Sequence, residues 1–499
     1  YENNIIPSNK IEIRKVVYND QRWGWLWVKE YGLCPDYLSP PDPVVDIPEN
    51  SNCQFWLTIN VPKDAKPGIY KGEVKVTSQA QPVANVPLSV EVLPVVLSNN
   101  SITHMLYHSP FYRNFDKDTV AVLTDMKNHG LQPIFYPKGR LIKTRTNDYT
   151  VNLDGFDYEL MLFKQVYPDA KQIFIGLFDY FPVWSKLEGP KPEFQYNFPP
   201  FEETYGAILK KYAETAERFG LEVFFSFSDE PGALPEKRRP TYLCSLIARN
   251  NGLKTWCGTY FTSDKQLPLS ELEKLQGINY LRPLSDVLTV FNCSLREVSK
   301  HQFENLSQKN VVPSYSASGA ATTIYPVYNR FLQGIYPFAV SAKYVLTYAY
   351  RDAILDPYDD MDVPGDYANR LGINDFLLTY PTWTGHILPT LSYEALREGV
   401  EDSQIISTLQ TLIKQAADSN DPTLTKLAEQ SDQYLTNIFN RVDTNFSKYF
   451  AKHSNLPLDP MEKAILRDLN EGQSQNYEIF DIVRRHLCDK IIALQNAIP

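Results

Sequence analysis

Asp229 and Glu230 stand side by side and are followed at once by Pro231, and these are the residues of the chain best suited to chemistry. They close the run LEVFFSFSDEP, in which Leu221, Val223, Phe224, Phe225 and Phe227 are bulky and favour β-structure. A short continuous apolar run bounded by polar residues reads as a strand covered on both faces. Successive strand residues face opposite ways, so neighbouring acids enter one site only where the chain is leaving the strand. Pro231 enforces that departure: it biases Glu230 away from helix and cannot donate to a sheet ladder. The competing reading is a pair of solvated loop acids, the usual state of surface carboxylates.

Adjacency restricts the chemistry. Two separate carboxylates that cleave a glycosidic bond stand about 5 to 5.5 Å apart for retention, or about 6.5 to 9.5 Å for inversion. Such pairs usually come from different strands. Neighbouring acids better suit the substrate-assisted variant, in which the sugar's own 2-acetamido oxygen attacks the anomeric carbon. One acid then holds the amide N–H and balances the growing oxazolinium charge, while the other protonates the leaving oxygen. This chemistry requires no cofactor and no metal. His104 and His108, in HMLYH, lie about 13 Å apart along a strand, too far to share one ion. Cys34, Cys53, Cys244, Cys257, Cys293 and Cys488 are scattered without C-x-x-C spacing and read as free thiols.

The elements that must position the acids form a repeating pattern. FEETYGAILKKYAETAERFG has apolar residues at helical spacing and stops on Gly220 just before the acid-bearing strand. Helix, glycine, buried strand and acids make one βα unit, with the acids at the carboxyl end, where parallel folds place ligands. From residue 101, strand-like segments (MLYHSPF, LQPIFYP, QIFIGLF, EVFFSFS, KTWCGTY, VLTVFN, VVPSYSA, KYVLTYAY) alternate with helical ones. That count predicts a (β/α)8 barrel over residues 101–400. A doubly wound open sheet is the alternative, but no G-x-G-x-x-G or Walker sequence accompanies a strand. Residues 1–100 alternate with period two between proline and glycine turns, as in an antiparallel β-sandwich. Residues 401–499 are amphipathic and predict an α-helical extension.

At 499 residues the chain is too long for one core. Its net charge of −10 argues against a nucleic-acid partner, and no apolar run is long enough for a membrane helix. The 32 tyrosines, 26 phenylalanines and 7 tryptophans suit either the faces of sugars or simply a large aromatic core. A chain that opens at Tyr1 favours a secreted or periplasmic protein whose leader has been removed. Oligomeric state is not legible.

Three stretches carry a family resemblance. PDYLSPPDPVVDIP through FWLTINVPKDAKPGIYKGEVKV resembles the N-terminal β-sandwich of glycoside hydrolase family 123 and its relatives. SFSDEP resembles that family's catalytic strand end, and LLTYPTWTGHILPTLSYEALREGVEDSQII its closing segment, all in the family's order. The resemblance implies a retaining exo-β-N-acetylgalactosaminidase that acts on a glycan or glycoconjugate through an oxazoline intermediate. It assigns charge stabilisation to Asp229 and general acid/base duty to Glu230. By position at strand ends, Tyr260, Tyr315 and Tyr348, with Trp383 in TYPTWTG, are candidates for the sugar's aromatic floor and walls. Arg330 falls where relatives carry an arginine. Two alternatives stay open: a carbohydrate-binding protein without catalysis, and a hydrolase of another glycan using separated carboxylates.

Overall fold

The structure is a computed structural model. It describes residues 5–22, 31–42, 44–78, 81–108, 117–137, 139–143, 149–177, 199–231, 235–259, 283–317, 326–352, 358, 376–382, 386–419, 421–442, 444 and 478–498. The N-terminal region forms two antiparallel sheets. In the first, Ile11–Arg22 lies between Tyr31–Leu38 and Phe55–Ile59; the second is a ribbon of Gly68–Ser78 and Gln81–Val92.

From Thr103 the chain builds a closed parallel barrel of eight strands. These are Thr103–Tyr107, Gln132–Phe135, Gln172–Gly176, Glu222–Ser226, Lys254–Thr259, Val290–Ser294, Val312–Ser316 and Tyr344–Thr347. The eighth pairs back onto the first, with Val345 opposite His104, so the open-sheet alternative is excluded. Because side chains alternate along a strand, each strand divides its residues between lumen and outer face. Met105, Tyr107, Ile134, Phe174, Phe224, Trp256, Val290 and Leu346 fill the lumen. There Phe174 stacks on Phe224 at 4.6 Å and meets the edge of Tyr344 at 5.0 Å. Outward-facing Ile173, Ile175, Val223 and Phe225 pack against Tyr205, Leu209 and Tyr212 of helix Pro199–Glu217. Burial on both faces is why the fourth strand reads as an unbroken apolar run.

Gly220 ends that helix as its sequence requires. Its φ of +66° is left-handed, and the Leu221 N–H reaches back to the Ala216 carbonyl at 3.1 Å.

Among the described residues, three long helices close the chain: Leu391–Ala417, Pro422–Arg441 and Glu478–Ala497. The first is capped by Thr390, whose Oγ1 accepts from the Tyr393 N–H at 3.1 Å, and the second by Asp421 at 2.7 Å from the Thr423 nitrogen. Leu409, Leu435, Leu487 and Ile491 cover Phe291, Tyr315 and Val345 on the outside of barrel strands six to eight. Leu391–Ala417 is one continuous helix that runs through residues 400 and 401, where the helical extension was expected to begin. Gly399 lets this helix approach helix Pro326–Gln333, because a Cβ there would lie 2.4 Å from the Arg330 carbonyl oxygen. All six cysteines are free thiols, and five are buried. No described helix is long and apolar enough to cross a membrane.

Candidate active site

The fourth strand ends at Ser226, and Phe227 and Ser228 stay buried beyond it. The chain then emerges, leaving Asp229 and Glu230 exposed at the carboxyl end of the barrel before Pro231 is buried again. Two devices turn the acids out. Glu230 has φ +43°, a left-handed value that costs a non-glycine residue about 1 kcal/mol or more. Its N–H donates to the carbonyl of Gly258 on the fifth strand at 3.1 Å, which fixes the turn. Strain of this kind persists only where its surroundings enforce it, and it concentrates at functional positions.

Around the acids stand groups from three other strand ends, with Tyr348 of a fourth such end behind them. Tyr107 closes the first strand and Tyr136 follows the second; their hydroxyls share a hydrogen bond and their rings stack at 5.9 Å. Tyr348, just past the eighth strand, sets its ring edge-on to Tyr107 at 5.2 Å. Gly258 has no side chain to intrude: a Cβ there would sit 3.9 Å from the Tyr107 hydroxyl and 3.6 Å from Asn292 Nδ2. Burial first, and then the charge of Asp229, push the Tyr107 phenol well above its ordinary value, and Glu230 adds to this. Burial, Tyr107 and Asp229, in that order, do the same to Tyr136. The buried Cys257 thiol is pushed up by burial and then by Asp229, with Glu230 again contributing. Both carboxyls therefore lie near enough for their charge to be felt at Tyr107 and at Cys257. The phenols stay neutral donors across the physiological range.

Two expected site residues lie elsewhere. Tyr315 is fully buried on the outer face of the seventh strand, its hydroxyl donating to the Leu332 carbonyl and its ring edge-on to Tyr336 at 5.4 Å. Strand parity is the reason: the inward residue is Ser314, whose Oγ donates to Asn292 Oδ1 at 2.7 Å. Arg330 is buried between helices, with Nε 2.7 Å from Asp402 and a terminal nitrogen 2.9 Å from Asp481. It braces the helical layer and does not reach the acids. Tyr260 and Trp383 lie outside the described residues. His104 faces outward, between Gln333 Oε1 at 2.8 Å and Ser403 Oγ at 3.2 Å, while His108 sits edge-on to Tyr350 at 5.8 Å. Burial, and for His108 also Arg351, pushes each imidazole down to about 4, so both are neutral.

Tyr107, Tyr136, Trp256 and Asn292, which the structure places in or beside the lumen, were not among the candidates read from the sequence. A usable signal existed: Met105 and Tyr107, Ile134 and Tyr136, and Trp256 and Gly258 each repeat the lumen parity at the carboxyl end of a strand.

The closing segment LSYEALREGVED is a structural seam. Tyr393 stacks on His129 at 3.8 Å, and its hydroxyl joins that of Tyr350 on Asp125 Oδ2, at 3.1 and 3.0 Å. Glu394 pairs with Arg397 at 2.6 Å, and Asp402 with Arg330 and Arg484 at 2.7 and 2.6 Å.

One family profile and one solved structure agree with this architecture. The profile of the glycoside hydrolase 123 N-terminal domain matches residues 2–78. A family 123 glycoside hydrolase from Clostridium perfringens, studied for glycolipid glycan hydrolysis, superposes with TM-score 0.62 and 15% identity over 99% of this chain and 87% of its own. A family 39 glycoside hydrolase from Bacteroides cellulosilyticus WH2 is similar at TM-score 0.36 and 12% identity, over 80% of each chain. An endo-1,4-β-mannanase from Rhizomucor miehei gives 0.33 and 10%, over 61% of this chain and 97% of its own. No curated protein sequence matches. With a family N-terminal domain at its start and the same succession of sheets, barrel and helices over its length, the chain has the architecture of glycoside hydrolase family 123.

Proposed function

We propose that this protein is a retaining glycoside hydrolase that removes terminal β-linked N-acetylgalactosamine with the substrate's acetamido group as nucleophile. The observation that carries the reading is the pair Asp229 and Glu230, consecutive residues on one left-handed turn whose charges are both felt at Tyr107 and Cys257. In that arrangement Asp229 holds the acetamido N–H and balances the oxazolinium charge as the carbonyl oxygen attacks the anomeric carbon. Glu230 protonates the departing oxygen, then as a carboxylate takes a proton from the water that opens the oxazoline, so the sugar leaves with its anomeric configuration retained. Tyr348, with Tyr260 and Trp383, supplies aromatic surface to the ring and the acetamido methyl, and the Tyr107 and Tyr136 hydroxyls supply neutral donors. The glycolipid glycans handled by the Clostridium perfringens relative favour a glycoconjugate substrate.

The test is release of p-nitrophenol from β-GalNAc, β-GlcNAc, β-galactoside and β-glucoside substrates, repeated with Asp229→Asn and Glu230→Gln and with a thiazoline analogue of the bicyclic intermediate. Turnover confined to the N-acetyl sugars, lost in both variants and blocked by the thiazoline, supports the proposal. Turnover of sugars without an acetamido group, or binding of GalNAc without turnover, refutes it.

A further inference from the structure

The N-terminal sheet reaches the catalytic end of the barrel through an unbroken chain of contacts. Beyond the last barrel strand, Tyr380 in the short strand Thr379–Tyr380 donates its hydroxyl to Asp36 Oδ2 at 2.8 Å. Its ring lies 4.8 Å from Tyr37 and 5.0 Å from Tyr358, with Tyr37 edge-on to Tyr358 at 6.0 Å. Asp36 and Tyr37 belong to strand Tyr31–Leu38 of the N-terminal sheet, and a backbone bridge joins Tyr37 to Thr390.

On its other side this tyrosine cluster grips the end of the barrel. The Arg351 guanidinium donates to the carbonyls of Thr379 and Tyr380 at 3.3 and 3.2 Å and lies 5.5 Å from the ring centre of Tyr350. The Thr379 N–H donates to the Tyr350 carbonyl at 3.1 Å, and the Tyr350 N–H to the Tyr107 carbonyl at 2.8 Å. Tyr107, at which the charge of both acids is felt, has Tyr348 edge-on to its ring at 5.2 Å. A catalytic constellation holds its geometry only if the shell behind it is locked, and a misplacement of about 1 Å costs on the order of a hundredfold in rate.

We infer that Asp36 and Tyr37 are positioning residues of the active site: through Tyr380 and Arg351 the N-terminal domain holds the Tyr348–Tyr350 turn, which itself holds Tyr107 next to Asp229 and Glu230. This rests on the function proposed above. The N-terminal domain is then a working part of the sugar site and not only a packing module.

The experiment compares the full-length protein with Tyr37→Ala, Tyr37→Phe, Asp36→Asn and a control, Tyr18→Ala, which removes an exposed tyrosine bonded to Gln54 in the same sheet. Two readouts are taken on folded protein: KM and kcat with p-nitrophenyl β-GalNAc, and amide hydrogen exchange of the peptides spanning Tyr350 and Thr379 without substrate. Tyr37→Ala is expected to raise KM about tenfold with a smaller effect on kcat, and to speed exchange at both amides. Tyr37→Phe and Tyr18→Ala stay near wild type, and Asp36→Asn falls between. If Tyr37→Ala does not fold, Asp36→Asn carries the same two tests. A lowered melting temperature with KM and exchange both unchanged overturns the inference, because that is what a purely structural contact does. A wild type inactive on every N-acetylhexosaminide overturns the proposed function instead, and the exchange comparison still decides the coupling.

Discussion

Gly399→Ala tests the seam between the barrel and its helical layer. On an exposed helix this change stabilises by about 1 kcal/mol, because alanine is the better helix former. Here the added Cβ would lie 2.4 Å from the Arg330 carbonyl oxygen, 2.8 Å from Gln333 Cβ and 3.0 Å from the Arg330 carbonyl carbon. Carbon–carbon contacts are comfortable at about 3.5 to 4.0 Å, so the two helices must part by roughly 1 Å. Two of the obstructing atoms are backbone and cannot rotate away. Arg330 also carries the buried ion pair to Asp402 at 2.7 Å, which the same movement stretches. Overpacking of this kind costs about 1 to 3 kcal/mol, which outweighs the propensity gain. Denaturant midpoints measured by circular dichroism should therefore fall for Gly399→Ala. Gly334→Ala, whose Cβ would meet Arg330 O at 2.9 Å, should fall less. A midpoint that rises for Gly399→Ala, as on a free helix surface, would refute the close approach and the account of the seam built on it.

Other consequences can be checked separately. Glu230→Gln should lower kcat by about 10² to 10⁴-fold, the usual worth of a general acid, while leaving the melting temperature within a degree or two of wild type. Tyr107→Phe removes a hydroxyl near Asp229 and should cut kcat/KM by about tenfold, the effect of one lost hydrogen bond; unchanged kinetics would remove Tyr107 from the site. Asp402→Asn leaves Arg330 and Arg484 without the carboxylate between them and should destabilise by about 3 kcal/mol, read as a shifted denaturation midpoint. Burial pulls His129 down, but Glu394 and Asp125 outweigh it and leave the imidazole above its ordinary 6.5. The stability it adds is therefore full below pH 6.5 and fades as pH rises through the raised folded value, and the stability difference between wild type and His129→Gln should shrink along that course. For Glu394, burial pushes up while His129 and Arg397 pull further down, so its contribution is present above 4.5 and is lost on acidification below it.

How much of this was legible follows from what a linear pattern encodes. The barrel was readable because each strand is buried on both faces and stands out as a short apolar run between amphipathic helices, as Ile173 to Gly176 and Val223 to Ser226 illustrate. Asp229 and Glu230 stood out as candidates because polar residues at the end of such a run have few structural reasons to be there. What a run of letters hides is parity. Tyr315 and Tyr107 both end aromatic strands, but one points at helices and the other at the lumen, a difference of one residue in phase. Arg330 misled for another reason: its partners Asp402 and Asp481 are 72 and 151 residues away, and nothing local announces a buried ion pair. The family-like closing segment was visible as a motif, yet its role as a packing seam emerges only when Gly399 is seen against Arg330.

The buried thiols give the molecule an internal reporter. Cys244, Cys257 and Cys293 are 0 to 1% exposed, and burial raises all three above the ordinary thiol range, so a disulfide reagent finds almost no thiolate in the native state. Cys53 is only half-buried and should be consumed first. Cys257 lies next to the Ser228–Pro231 turn, with its sulfur 3.7 Å from the Ser228 carbonyl, so its labelling rate measures how often that turn opens while the rest of the barrel stays shut. A ligand seated on Asp229 and Glu230 would slow that one thiol selectively, which allows occupancy of the site to be followed without any turnover at all.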